Sequence, residues 1–179
     1  LDFCGRTFNV PREKMRVLLT GTDESVFRPQ PAAPASGAPS PFTVLYHGAY
    51  LPLHGTEHIV EAARMTQGEN IRWDFLGWGA YKAKTEAKAA GISNIRFLDK
   101  VPYVEVPKVI CAHDVVLGVF GTTEKASRVI GNKVYECMAC ARPTINEFCT
   151  GYPPDAAECK AIKFIPAGDA AALVKAVEE

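Results

Sequence analysis

The sequence predicts an α/β fold: a doubly wound parallel sheet with helices on both faces. Two observations predict it. Short, near-continuous apolar runs alternate with helical patterns about six times, and strands of that kind belong in a sheet covered on both sides. The chain has 179 residues, 47% of them hydrophobic and 22% charged, which suits one domain with a sizeable core.

The elements follow in order. Residues 1–29 form a mixed opening segment, in which 14–19 reads as a strand and 21–23 as a turn. Residues 29–41 hold five prolines among Ala, Ser and Gly, which excludes a helix or central strand and predicts a semi-stiff linker. The expected organisation is therefore an opening segment 1–29, a linker 30–41 and a domain 42–179. Residues 43–46 are an apolar run that ends at Gly48. Residues 56–65 carry Ile59, Ala62, Ala63 and Met65 at helical spacing. A strand is expected over 71–76, a helix over 81–90 closed by Gly91, and a strand over 95–98. A weaker helix covers 104–112, and 115–119 is a continuous apolar strand. Residues 133–141 read as a helix, 143–145 and 162–165 as strands. Asp169 caps a last helix over 170–177.

Composition removes several function classes. Lys+Arg and Asp+Glu are both 20, so a broad nucleic-acid footprint is not expected, although one small basic pocket is compatible. No apolar run reaches the roughly 18 residues needed to span a bilayer. The N-terminus lacks a basic n-region followed by an apolar stretch, and the chain starts without Met, which suggests a piece of something longer. The cysteines stand at 4, 111, 137, 140, 149 and 159, without metal-ligand spacing to His, so no metal site is expected. Cys137 and Cys140 lie inside a helical pattern and read as small buried residues rather than a redox pair. Free thiols favour a reducing compartment, hence the cytoplasm.

In a doubly wound sheet the ligand sits beyond the carboxyl ends of the strands, so those ends carry the functional reading. After the first strand, Gly48 and Gly55 frame a loop that feeds a helix; close approach to a ligand and plain turn chemistry both explain it. After the second, Gly77-Trp78-Gly79 lacks the third glycine of a dinucleotide fingerprint, since position 82 is Lys. After the third come Val101 and Pro102. After the fourth, a polar loop carries Lys125 and Arg128, and Gly131-Asn132-Lys133 opens a helix with Glu136 in its first turn. Three cations at a helix start make an anion site. A carboxylate there suits hydroxyl donors such as a ribose diol. The plain alternative is a solvated helix start with an i,i+3 Lys133–Glu136 pair.

The stretch 132–145, Asn-Lys-Val-Tyr-Glu-Cys-Met-Ala-Cys-Ala-Arg-Pro-Thr-Ile, resembles the signature of the group 1, family-four glycosyltransferases. Weaker likenesses accompany it in order: Tyr46-His47-Gly48 through Gly55, Phe75-Leu76-Gly77-Trp78-Gly79, residues 94–102, Ala112-His113-Asp114-Val115, residues 163–169, and 17–23 with Phe27 and Pro29. The resemblance implies the C-terminal, Rossmann-like donor-binding domain of a GT-B enzyme. It implies a nucleotide-sugar donor as substrate, no cofactor, and transfer with retention of anomeric configuration. It also implies that the fragment is inactive without an N-terminal acceptor domain, through which peripheral contact with the inner membrane face is expected. Envelope or capsular polysaccharide is the implied setting.

Carried over residue by residue, Glu136 would bind the ribose, Gly48, Asn132 and Lys133 the diphosphate, and Val101 and Pro102 the base. Gly79 joins the expected donor-binding set. The sequence departs from the family at Arg128, where a sugar-binding Glu is usual, and at Ala49 and His54, where Arg and Lys are usual. Lys125, Arg128 and Lys133 are expected to supply the absent charge. Arg128 and His54 are the candidate catalytic residues. Two other readings stay open: a non-catalytic nucleotide-binding module, and a nucleotide-sugar epimerase on the same scaffold using His47 or His54. A receiver domain would need paired Asp residues after the first strand, and none stand there. His113, before a strand, is read as structural.

Overall fold

The computed structural model describes residues 1–31 and 40–179. Most of the linker expected over 30–41 lies outside the described residues. Six parallel strands are present: β1 (Phe42–Ala49), β2 (Ile71–Trp78), β3 (Ile95–Leu98), β4 (Val115–Leu117), β5 (Thr144–Glu147) and β6 (Ile162–Ile165). Their order in the sheet is β3-β2-β1-β4-β5-β6. Order reverses between β1 and β4, which makes their carboxyl ends the switch point where ligands of such sheets bind.

The helices are α1 (Asp2–Phe8), α2 (Thr56–Met65), α3 (Lys82–Ala89), α4 (Val106–Cys111), α5 (Asn132–Ala139) and α6 (Ala170–Glu178). Alternation along β1 shows why both faces are covered. Val44 and Tyr46 point into a core with Ile59 and Ala63 of α2 and Leu173 of α6. Leu45 points the other way, against Ile110 of α4 and Cys137 of α5. Fully burying an aliphatic side chain of this size contributes about 1.5–3 kcal/mol. Phe27, from the opening segment, is fully buried in the second of these layers. Asp169 caps α6 by accepting from the Ala172 amide at 2.9 Å.

Three expectations are corrected. Residues 14–19 form no strand: a 3-10 turn, Arg12–Lys14, precedes an irregular stretch with no sheet neighbour among the described residues. A strand needs a neighbour to take its amides and carbonyls, and here Val17, Leu18 and Leu19 remain exposed. Strand β4 stops at Leu117 rather than 119, because the Asn146 side chain accepts the Val119 amide at 2.5 Å in place of a ladder carbonyl. Helix α5 begins one residue early, at Asn132, so Glu136 falls just past its first turn.

Below the strand ends, the buried Asp74 carboxylate of β2 is a structural hub. It accepts from Arg96 at 2.6 Å, His113 at 2.9 Å and Arg72 at 3.2 Å. The other His113 nitrogen donates to the Val109 carbonyl at 2.7 Å. These partners tie β2 to β3 and to the turn before β4.

Candidate functional site

A cleft of about 250 Å³ opens at the carboxyl ends of β1, β2 and β3. Its walls are His47, Gly48 and Ala49 from β1, Leu76, Gly77 and Trp78 from β2, then Lys100, Val101, Tyr103 and Val106; Glu136 of α5 closes it. Of the donor-binding residues expected from sequence, Gly48, Val101 and Glu136 line this cleft.

Gly48 adopts φ +125°, and a Cβ there would lie 3.3 Å from both Cε and Nζ of Lys133. The glycine thus leaves only backbone between the cleft and the Lys133 ammonium. Lys133 is 5% exposed. Among the described residues its Nζ has no hydrogen-bond partner, and it lies 4.2 Å from the centroid of the Tyr46 ring. Burial brings its pKa down to about 7, against a weaker opposing pull from Cys137 and Glu136. No Lys133–Glu136 ion pair forms, so in place of a solvated helix start there is a buried lysine. The first turn of α5 carries no capping side chain, which leaves amides at its positive end.

The histidines around this cation are neutral. Burial, then Lys133, holds both His47 and His54 down at about 3. His47 Nδ1 lies 3.7 Å from a Glu136 carboxylate oxygen, and its Nε2 lies 3.5 Å from the Cys137 sulfur. Burial raises the Glu136 carboxyl, and Lys133 opposes that. The Tyr46 hydroxyl donates to the Ala49 carbonyl at 2.9 Å, since a carbonyl only accepts. His54 Nδ1 must then donate to the Tyr46 oxygen, also at 2.9 Å. His54 is thereby fixed as a strut of the loop after β1.

Several expected residues lie elsewhere. Arg128 pairs with Glu124 and stacks over the Phe3 ring at 4.1 Å, outside the cleft wall. Its i,i+4 carboxylate and the opening helix compete for it. Lys125 is exposed and does not line the cleft. Of the three cations expected to supply charge, only Lys133 is brought to the β1 loop. Asn132, Pro102 and His54 flank the lining residues without joining them. Gly79 supports the loop: at φ +148° its missing Cβ makes room for the Tyr50 amide, which would otherwise sit 2.6 Å away. Cys137 and Cys140 are buried, and burial pushes the Cys140 thiol up to about 12.

The family model described as Glycosyl transferases group 1 matches residues 41–179. The chain belongs to the group 1 glycosyltransferases. Among solved structures, this group 1 chain is similar to the C-terminal domain of a group 1 family protein from Francisella tularensis, with TM-score 0.69 and 19% identity over 88% of this chain and 86% of that one. It is similar to a sucrose-phosphate synthase from Thermosynechococcus elongatus, with TM-score 0.75 and 19% identity over 99% of this chain and 45% of that one. It is also similar to Anabaena HepE in complex with UDP-glucose, with TM-score 0.72 and 15% identity over 94% of this chain and 48% of that one. The group 1 chain thus spans about half the length of the last two. No curated protein sequence matches it. Its six-stranded parallel sheet is the Rossmann-like half of a GT-B fold.

Sequence reasoning assigned no donor-site role to Trp78, Lys100 and Tyr103. Trp78 stands between two glycines at a strand end, which was the available signal. Its exposure to the cleft depends on the β2–β3 neighbourhood, which is set by strand order.

Proposed function

We propose that this chain is the donor-binding half of a glycosyltransferase. It takes a nucleotide-sugar in the cleft and, with an N-terminal acceptor domain, transfers the sugar with retention to an acceptor in envelope or capsular polysaccharide synthesis. One observation carries the reading: the buried Lys133 ammonium has no hydrogen-bond partner among the described residues and lies behind Gly48 at the cleft floor. A buried unpaired charge is costly, and a diphosphate over Gly48 would supply the absent counter-charge. The α5 amides add donors for the same anion. Glu136, across the cleft, suits hydroxyls one group further along, as on a ribose. As the nucleotide leaves, Lys133 and the α5 dipole stabilise the charge that develops on its phosphate, with no metal or other cofactor called for. The likeness to a UDP-glucose-bound structure about twice as long supports both the donor class and the need for a second domain. The cytoplasmic side of a membrane is the setting proposed, with membrane contact made by the acceptor half.

Thermal shift with UDP-, GDP-, ADP- and CMP-sugars tests this. Binding raises apparent stability by mass action, so at least one donor should raise Tm in the wild type and not in K133A. Absence of a shift with all of them would overturn the donor site.

A further inference from the structure

Trp78 is 63% exposed at the end of β2, whereas Trp73 on the same strand is fully buried. The Trp78 ring carries the Lys100 ammonium at 5.3 Å from its centroid, and both residues line the cleft together with Val101 and Tyr103. A largely exposed indole beside a cleft offers a flat π surface, and planar bases stack on such surfaces.

Position selects which part of a donor meets it. Trp78 pairs in register with Ala49, and β2 lies between β1 and β3, on the flank away from β4. Gly48 and Lys133 mark the phosphate position at β1. Strands are about 4.8 Å apart. A nucleotide with its phosphates over Gly48 passes its ribose by Glu136 and brings its base towards β3, over Val101 and Trp78. Its sugar extends the opposite way, towards the loop after β4.

We propose that Trp78 is the nucleobase platform of this site, setting affinity for the nucleoside part of the donor. The proposal rests on the nucleotide-sugar reading above. Titration calorimetry of the chain with UDP, GDP, ADP and inorganic pyrophosphate tests it. The tightest nucleoside diphosphate should bind W78A about tenfold more weakly and W78F nearly as well as wild type. Pyrophosphate should bind wild type and W78A equally. Nucleotide should change tryptophan emission in the wild type and leave W78F, which keeps only buried Trp73, unchanged. Since Trp78 is exposed, the melting temperature of W78A should match wild type, which separates binding from folding. Unchanged nucleotide affinity in W78A, or an equal loss for pyrophosphate, would overturn the platform. Loss of binding in K133A with none in W78A would leave the donor site standing and remove the platform; no nucleotide bound by wild type would remove both.

Discussion

The Lys133 ammonium and the Tyr46 ring face each other at 4.2 Å, and among the described residues this buried ammonium has no hydrogen-bond partner. A desolvated contact of this kind contributes about 2 kcal/mol or more, still below the several kcal/mol that taking an ion out of water costs. K133M should therefore stabilise the ligand-free chain by about 1–4 kcal/mol while abolishing nucleoside diphosphate binding. Denaturant unfolding beside calorimetry checks both. A destabilised K133M that still binds would contradict the role of this lysine.

Anion binding should depend on pH through the same group. With the free-site pKa at about 7, Lys133 is charged below that value and neutral above it. Nucleotide affinity should fall as pH rises through 7, by up to about tenfold per unit. Stability without ligand runs the other way. The folded pKa lies below the usual 10.5, so the unfolded chain binds more protons between 7 and 10.5, and stability rises across that window. Affinity that stays constant from pH 6 to 9 would count against the assignment.

Glu147, at the end of β5, is 1% exposed, and neither carboxylate oxygen has a hydrogen-bond partner among the described residues. Burial raises its pKa from 4.5 to about 7. The folded chain then holds more protons than the unfolded chain between 4.5 and 7, so stability falls as pH rises through that window. E147Q should raise stability by about 2–3 kcal/mol above pH 7 and change little near pH 4. Melting temperatures of the two proteins at pH 4 and pH 8 decide it.

R128A should leave nucleotide affinity within about twofold, because its guanidinium is held by Glu124 and Phe3 away from the cleft. A tenfold loss would mean that the loop rearranges on binding.

D74A should cost about 3 kcal/mol of stability, concentrated on the buried His113, since Arg72 and Arg96 are partly exposed. Burial pushes the Asp74 carboxyl up, but the hydrogen bonds from His113 and Arg96 together with the Arg72 charge outweigh it and hold the group down at about 2. Its contribution is present above 3.8 and lost as pH falls through 2. Nucleotide affinity at neutral pH should be unaffected in the folded fraction.

Sequence alone determined the alternation of elements, the parallel doubly wound sheet and the family. Apolar periodicity and strand-end glycines are local, and 95–98 and 162–165 even kept their predicted bounds as β3 and β6. Glu136 and Gly48 were legible because each sits in a short motif. Only the tertiary structure decided which cation lies beside the cleft. Lys125, Arg128 and Lys133 lie within nine residues of one another, yet Lys133 is buried against Tyr46 while Arg128 turns out over Phe3 of α1. It also decided the strand that failed at 14–19, since pairing requires a neighbour that local sequence does not contain. The Trp78 wall arises in the same way: it depends on β2 lying beside β3 in space, a relation between segments that no local pattern records.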